Sequence, residues 1–178
     1  MKRLAICLAF LLLSTQILAA ETFINTVGSD DKTAISGFDT VAFFTEKKAI
    51  LGKPEFEYSY RSAKWRFSSK ENLKLFQENP EKFMPQWGGQ CAWAVSESGG
   101  ISSKKLSSSF EIIDGKLYLF AFGNRAASSA RDSFLYGRWS ASNRILDGDK
   151  NWPELKRKLE EGIVVQPNSS NYTKTRFE

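Results

Sequence analysis

Apolar and polar positions change their pattern several times along the chain, and each change marks an element. Residues 4–13 form an almost unbroken apolar run. Lys2 and Arg3 precede it, and Ser14, Thr15, Gln16 and the small pair Ala19-Ala20 follow it. A charged start, a short apolar centre and a small-residue end predict a secretory signal peptide over residues 1–20. The run is shorter than the roughly 20 apolar residues that a membrane span needs. Cys7 lies inside the run rather than just after it, which argues against a lipoprotein anchor. The expected location is exported, periplasmic or extracellular, with no membrane anchor after cleavage.

Residues 21–32 are polar and predict a flexible N-terminal segment, and one domain is expected over residues 33–160. Asp39 is placed to cap a short helical turn through Val41, Ala42, Phe43 and Phe44. Phe56, Tyr58 and Tyr60 alternate with polar residues, a turn falls near Arg61-Ser62, and Trp65 and Phe67 follow. Period-two alternation with aromatic enrichment predicts a β-hairpin. Ser68 or Ser69 caps the next helix, Ser68 with Glu71 fitting a capping box, and its apolar stripe is Leu73, Leu75 and Phe76. Asn79-Pro80 stops that helix, and a second short one runs through Glu81, Lys82 and Phe83. A tight turn at Gly88-Gly89 then leads into a helix over residues 90–97, closed by Gly99-Gly100.

Residues 98–109 are rich in Ser, Gly and Lys and predict a mobile loop. Asp114-Gly115 between the apolar runs 110–113 and 117–120 predicts a second hairpin with a type I′ turn. Residues 123–146 read as helical, anchored by Phe134, Leu135, Trp139 and Ile145. Residues 149–159 read as a separate last helix with Trp152 and Pro153 at its start. Residues 161–178 read as a frayed polar tail. Two antiparallel hairpins with several short helices make the fold class α+β.

Composition narrows the chemistry. Of the two cysteines, Cys7 falls in the predicted signal peptide, so Cys91 is a single free cysteine without a disulfide partner. The core must then hold the fold, and 14 Phe, 5 Trp and 5 Tyr supply its large apolar surfaces. The chain has no histidine, which excludes Ser-His-Asp and Cys-His catalysis and histidine-ligated haem or zinc. The formal charge of +5 falls by two without Lys2 and Arg3, and no basic block stands out, so nucleic acid is not an expected partner.

The chain resembles the secreted YHS-domain proteins of bacteria. The matching pieces are residues 34–45 (AISGFDTVAFFT), 65–72 (WRFSSKEN), 76–83 (FQENPEKF), 85–92 (PQWGGQCA), 114–119 (DGKLYL) and 151–155 (NWPEL). They run in order over most of the expected domain. The resemblance implies a small cysteine-containing module related to metal-binding domains, with its central cysteine at Cys91. The second cysteine of the metal-binding relatives falls where this chain has Ser68 and Ser69, and the family's histidine is absent.

Cys91, placed in the first turn of the helix after Gly88-Gly89, would feel the positive end of the helix dipole, which favours a thiolate. The ligand-binding candidates are Cys91, Gly88, Gly89, Trp87, Tyr58 and Trp65, with Cys91 also the candidate metal ligand. Gly88 and Gly89 would expose backbone amides to an anion, and the aromatic residues would line a pocket beside the thiol. The leading expectation is a non-enzymatic exported domain binding a small ligand or metal ion near Cys91. A thiol-based redox or stress protein, and a structural or partner-binding domain with an inert core cysteine, stay open.

Overall fold

The computed structural model describes residues 22–102, 105–121, 127–137 and 140–163. The signal peptide predicted over residues 1–20, the anchor Trp139 and residues 164–178 of the predicted tail lie outside them. The fold is α+β: two two-stranded antiparallel sheets and several helices.

Asp39 is fully buried and opens α1 (Thr40–Thr45), its Oδ1 accepting from the amides of Val41 and Ala42. Its Oδ2 accepts from the Ser68 amide, the Ser68 hydroxyl and Asn72 Nδ2 at 2.7–2.8 Å. One carboxylate thus caps a helix and ties it to the end of the first hairpin. Because Ser68 is spent there, the capping box expected from Ser68 and Glu71 does not form. Ser69 caps α2 (Lys70–Glu78) instead, accepting from the Asn72 amide.

The first hairpin pairs β1 (Lys53–Tyr60) with β2 (Ala63–Phe67), and Tyr58 stands opposite Trp65. Arg61 and Ser62 take φ of 51° and 58°, the left-handed pair that lets a two-residue turn follow the strand twist. Ala63, Trp65 and Phe67 alternate into the core, and Phe76 of α2 lies on Trp65 and Phe67 with ring centroids 5.1 and 5.0 Å away. The α2 stripe therefore runs through Asn72 and Phe76, and Leu75, expected on it, faces solvent. Asn79 ends α2 and caps α3 (Pro80–Phe83).

The second hairpin pairs β3 (Leu106–Ile113) with β4 (Lys116–Ala121) through Asp114 and Gly115, both at positive φ. β3 begins inside the stretch expected to be a loop over 98–109. The flanking Leu106 is buried and pairs with Ala121 across a bulge, which recruits the serines into strand. β4 divides two hydrophobic clusters. Leu117, Leu119 and Ala121 join the first with Trp65, Phe67, Phe76 and Cys91; Tyr118 and Phe120 join the second with Trp87, Val95, Phe134 and Leu155.

Helices α4 (Ala92–Ser98), α5 (Ala127–Tyr136) and α6 (Ala141–Glu160) cover that second cluster. α6 is one helix of 20 residues, not the two segments expected around residue 147, and Pro153 sits inside it. An internal proline costs a helix about 3 kcal/mol. Contacts along its length offset this: Arg144 pairs with Glu97, Asn151 Nδ2 donates to Val95 O at 2.9 Å, and Leu155 is buried.

Part of the segment expected to be flexible over residues 21–32 instead enters the core. Phe23, Ile24 and Asn25 are buried. Asn25 N donates to Gly88 O at 2.8 Å, and Ile35 N donates to Asn25 O at 2.7 Å. The apolar pair Phe23-Ile24, too short for periodicity to register, supplies the reason.

Candidate functional site

The tight turn expected at Gly88-Gly89 is present and is largely buried. Gln86–Gly89 form a tight turn in which Trp87 and Gly88 take φ of 51° and 62°. The Trp87 ring is buried edge-on to Tyr118, and its Nε1 donates to Asp149 Oδ1 at 3.0 Å. A Cβ on Gly148 of α6 would stand 2.2 Å from the Trp87 ring, so the helix can approach only because that position is bare. Gly88 meets the N-terminal strap: a Cβ there would lie 2.5 Å from Phe23 O. Gly89 O accepts from Asn25 Nδ2 at 3.2 Å. Through its carbonyls the pair docks residues 23–25.

Cys91 is the N-cap of α4, one residue before the helix rather than inside its first turn, and its side chain makes no cap bond. Its main chain bridges in parallel to Leu119 of β4. The side chain is 4% exposed in the first cluster. Burial pushes the thiol pKa up, and the nearby amides of Ala121, Ala94 and Trp93 pull it down by less. The thiolate expected from the helix dipole is therefore not favoured, because removing water from the anion outweighs a dipole of seven residues.

Trp65 and Tyr58 stand opposite each other across the first hairpin and pack on Phe76. Trp65 Nε1 is satisfied by Tyr60 O at 3.0 Å. Trp87 belongs to the other cluster. The expected aromatic pocket beside Cys91 is divided by β4 into two packed cores. The donor set does not fit a metal either. Among the described residues Cys91 is the one cysteine, and no three His, Cys, Asp or Glu side chains come together.

Two of the six candidates do line a surface cleft of about 190 Å³, Trp87 and Gly88. Its other walls are Phe23 from the strap, Arg61 from the first hairpin turn, Glu81 from α3, and Trp152 and Lys156 from α6. Phe23 and Trp152 meet edge to face at 5.9 Å. The Phe23 ring lies beneath both cations, 5.5 Å from the Arg61 guanidinium and 4.7 Å from Lys156 Nζ. Arg61 and the Tyr60 hydroxyl both reach Glu81 Oε1 at 2.7 Å and hold its carboxyl below its ordinary pKa. The cleft therefore offers an aromatic floor, two cations and one carboxylate already engaged by one of them. Phe23, Arg61, Glu81, Trp152 and Lys156 were not singled out from sequence. They come from four separate segments, and local spacing links only Trp152 and Lys156, four apart on α6. Compared with protein-family models, curated proteins and solved structures, the chain matches none.

Proposed function

We propose that this chain is a non-enzymatic binding domain, acting after export, that holds a small anionic molecule with an apolar body in the cleft at Trp87 and Gly88. The observation that carries this reading is the placement of Arg61 and Lys156 over the Phe23 ring, with Trp152 beside it, Glu81 bound to Arg61 and Glu160 3.8 Å from Lys156 Nζ. Aromatic walls take the apolar body, and the two cations are placed to orient the anion. The site keeps the sequence-derived turn and moves the ligand away from Cys91, which serves as a core residue. The inert-cysteine reading is favoured over the redox one by the burial of the thiol.

Benzoate, benzamide and benzylamine present one ring with three charges, and saturation-transfer NMR against the purified chain compares them directly. The expected result is transfer to benzoate above the other two, lost in Lys156→Glu while the fold is retained. Equal transfer to all three, or none to benzoate, rejects the proposal.

A further inference from the structure

One stripe of α6 follows the cleft to the end of the helix. Gly148 stands against the Trp87 ring, Trp152 packs on Phe23, and Lys156 lies over the same Phe23 ring. Glu160 comes next, 3.8 Å from Lys156 Nζ. The four positions are spaced by four, so they share a face of the helix. Glu160 is also the last helical residue, about 6 Å along the axis from Lys156.

The chain is turned off the axis at that point. Gly162 takes φ of 67°, its amide donates to Leu159 O at 3.1 Å, and Ile163 N donates to Lys158 O at 2.9 Å. This paired closure uses the freedom of glycine at positive φ to stop the helix. Ile163 emerges 46% exposed. Whatever follows Ile163 therefore starts within about two turns of the cleft residue Lys156.

Beyond the described residues the chain continues through 164–178. At about 3.3 Å per residue this segment can reach roughly 50 Å, several times the distance back to Lys156. Its composition matches the cleft. Phe177 stands between Arg176 and Glu178, and Glu178 is the sole carboxylate of the segment. Tyr172, the other ring there, is flanked by uncharged Asn171 and Thr173. The cleft presents Phe23 and Trp152 among charges of both signs, Arg61 with Glu81 and Lys156 with Glu160. A ring with a cation on one side and an anion on the other complements that arrangement in its apolar and its charged parts. We infer that residues 176–178 of the same chain close the cleft, the Phe177 ring against Phe23 and Trp152 and the Glu178 carboxylate against Lys156. A segment tethered this near its site competes at a local concentration on the order of millimolar. The contact is autoinhibitory: a free anion enters when the segment leaves. This rests on the small-anion reading of the cleft and adds its regulation.

Carbodiimide coupling, which joins a carboxylate to an amine in contact with it, reads the closure on the full chain when followed by peptide mass spectrometry. The expected product links Glu178 to Lys156 within one monomer. Its yield should fall about threefold or more in Phe177→Ser, which keeps both coupling groups and removes only the ring. Excess benzoate should lower it in the same way. In saturation-transfer titration, benzoate should bind Phe177→Ser and Glu178→Lys about threefold or more tightly than the unaltered chain, as follows if two-thirds of the molecules are closed. The Glu178–Lys156 product with no benzoate binding to any of the three chains keeps the closure and rejects the small-anion reading. Absence of the product, a product formed only between two chains, or benzoate binding equally to all three chains overturns the inference. Where benzoate still binds in those cases, the small-anion reading stands without it.

Discussion

Burying the Cys91 thiol removes water from the atom that would carry negative charge, and that single fact sets its chemistry. Its pKa in the folded chain lies above the ordinary value of 9.0. As pH rises past that value, the unfolded chain gives up its proton first. The stabilisation is thus complete below about pH 9 and declines as pH climbs toward the folded pKa. Tyr118 acts in the same direction at higher pH, since burial and the charges of Asp149 and Asp114 push its hydroxyl up to about 12. Urea unfolding at rising pH should therefore show a midpoint falling above pH 9. In Cys91→Ala the early part of that fall should flatten, with a uniform cost of about 1–2 kcal/mol for the lost packing. In the same samples the native thiol should resist alkylation that the unfolded chain undergoes at once. A native thiol that reacts as fast as the unfolded one would return Cys91 to the redox reading.

At the scale of elements, the contact of α6 with the Gln86–Gly89 turn is the sharpest steric statement in the molecule. Alanine is ordinarily better than glycine inside a helix by about 1 kcal/mol. At position 148 the added methyl would stand 2.2 Å from the Trp87 ring, which is itself held by Tyr118 and Asp149. Overpacking of that kind costs about 1–3 kcal/mol and outweighs the gain in propensity. Gly148→Ala should thus lower the stability read from urea unfolding, by up to about 2 kcal/mol net, and should shift the tryptophan emission. A stabilised variant would mean that Trp87 moves aside freely and that the cleft wall it forms is soft.

The whole molecule is closed by its N-terminal strap. Ile35 N donates to Asn25 O and Asn25 N donates to Gly88 O, so residues 23–25 brace the central turn. Phe23 is also the ring beneath both cleft cations. In native-state hydrogen exchange the Asn25 and Ile35 amides should be protected nearly as well as the core strand β4. Exchange at the rate of a free terminus would mean that the strap opens locally and that the cleft exists only part of the time.

What the sequence determined by itself is what depends on neighbours a few residues apart. Alternation and the pairs Arg61-Ser62 and Asp114-Gly115 marked both hairpins. Asp39 marked the start of α1, Asn79-Pro80 the end of α2, and Gly99 the end of α4, because caps and turns are local hydrogen-bond and steric problems. The absence of histidine and the unpaired Cys91 excluded whole classes of chemistry for the same reason: they need no geometry. The tertiary structure decided the rest. Ser68 could not cap α2 once Asp39 claimed it, Leu75 could not be core once Phe76 met the hairpin, and Pro153 could stay in a helix because α4 holds it. The thiolate was lost because burial, which no spacing records, outweighs a short helix dipole. The cleft joins segments far apart in the chain, and only the folded contacts bring its charges and rings together.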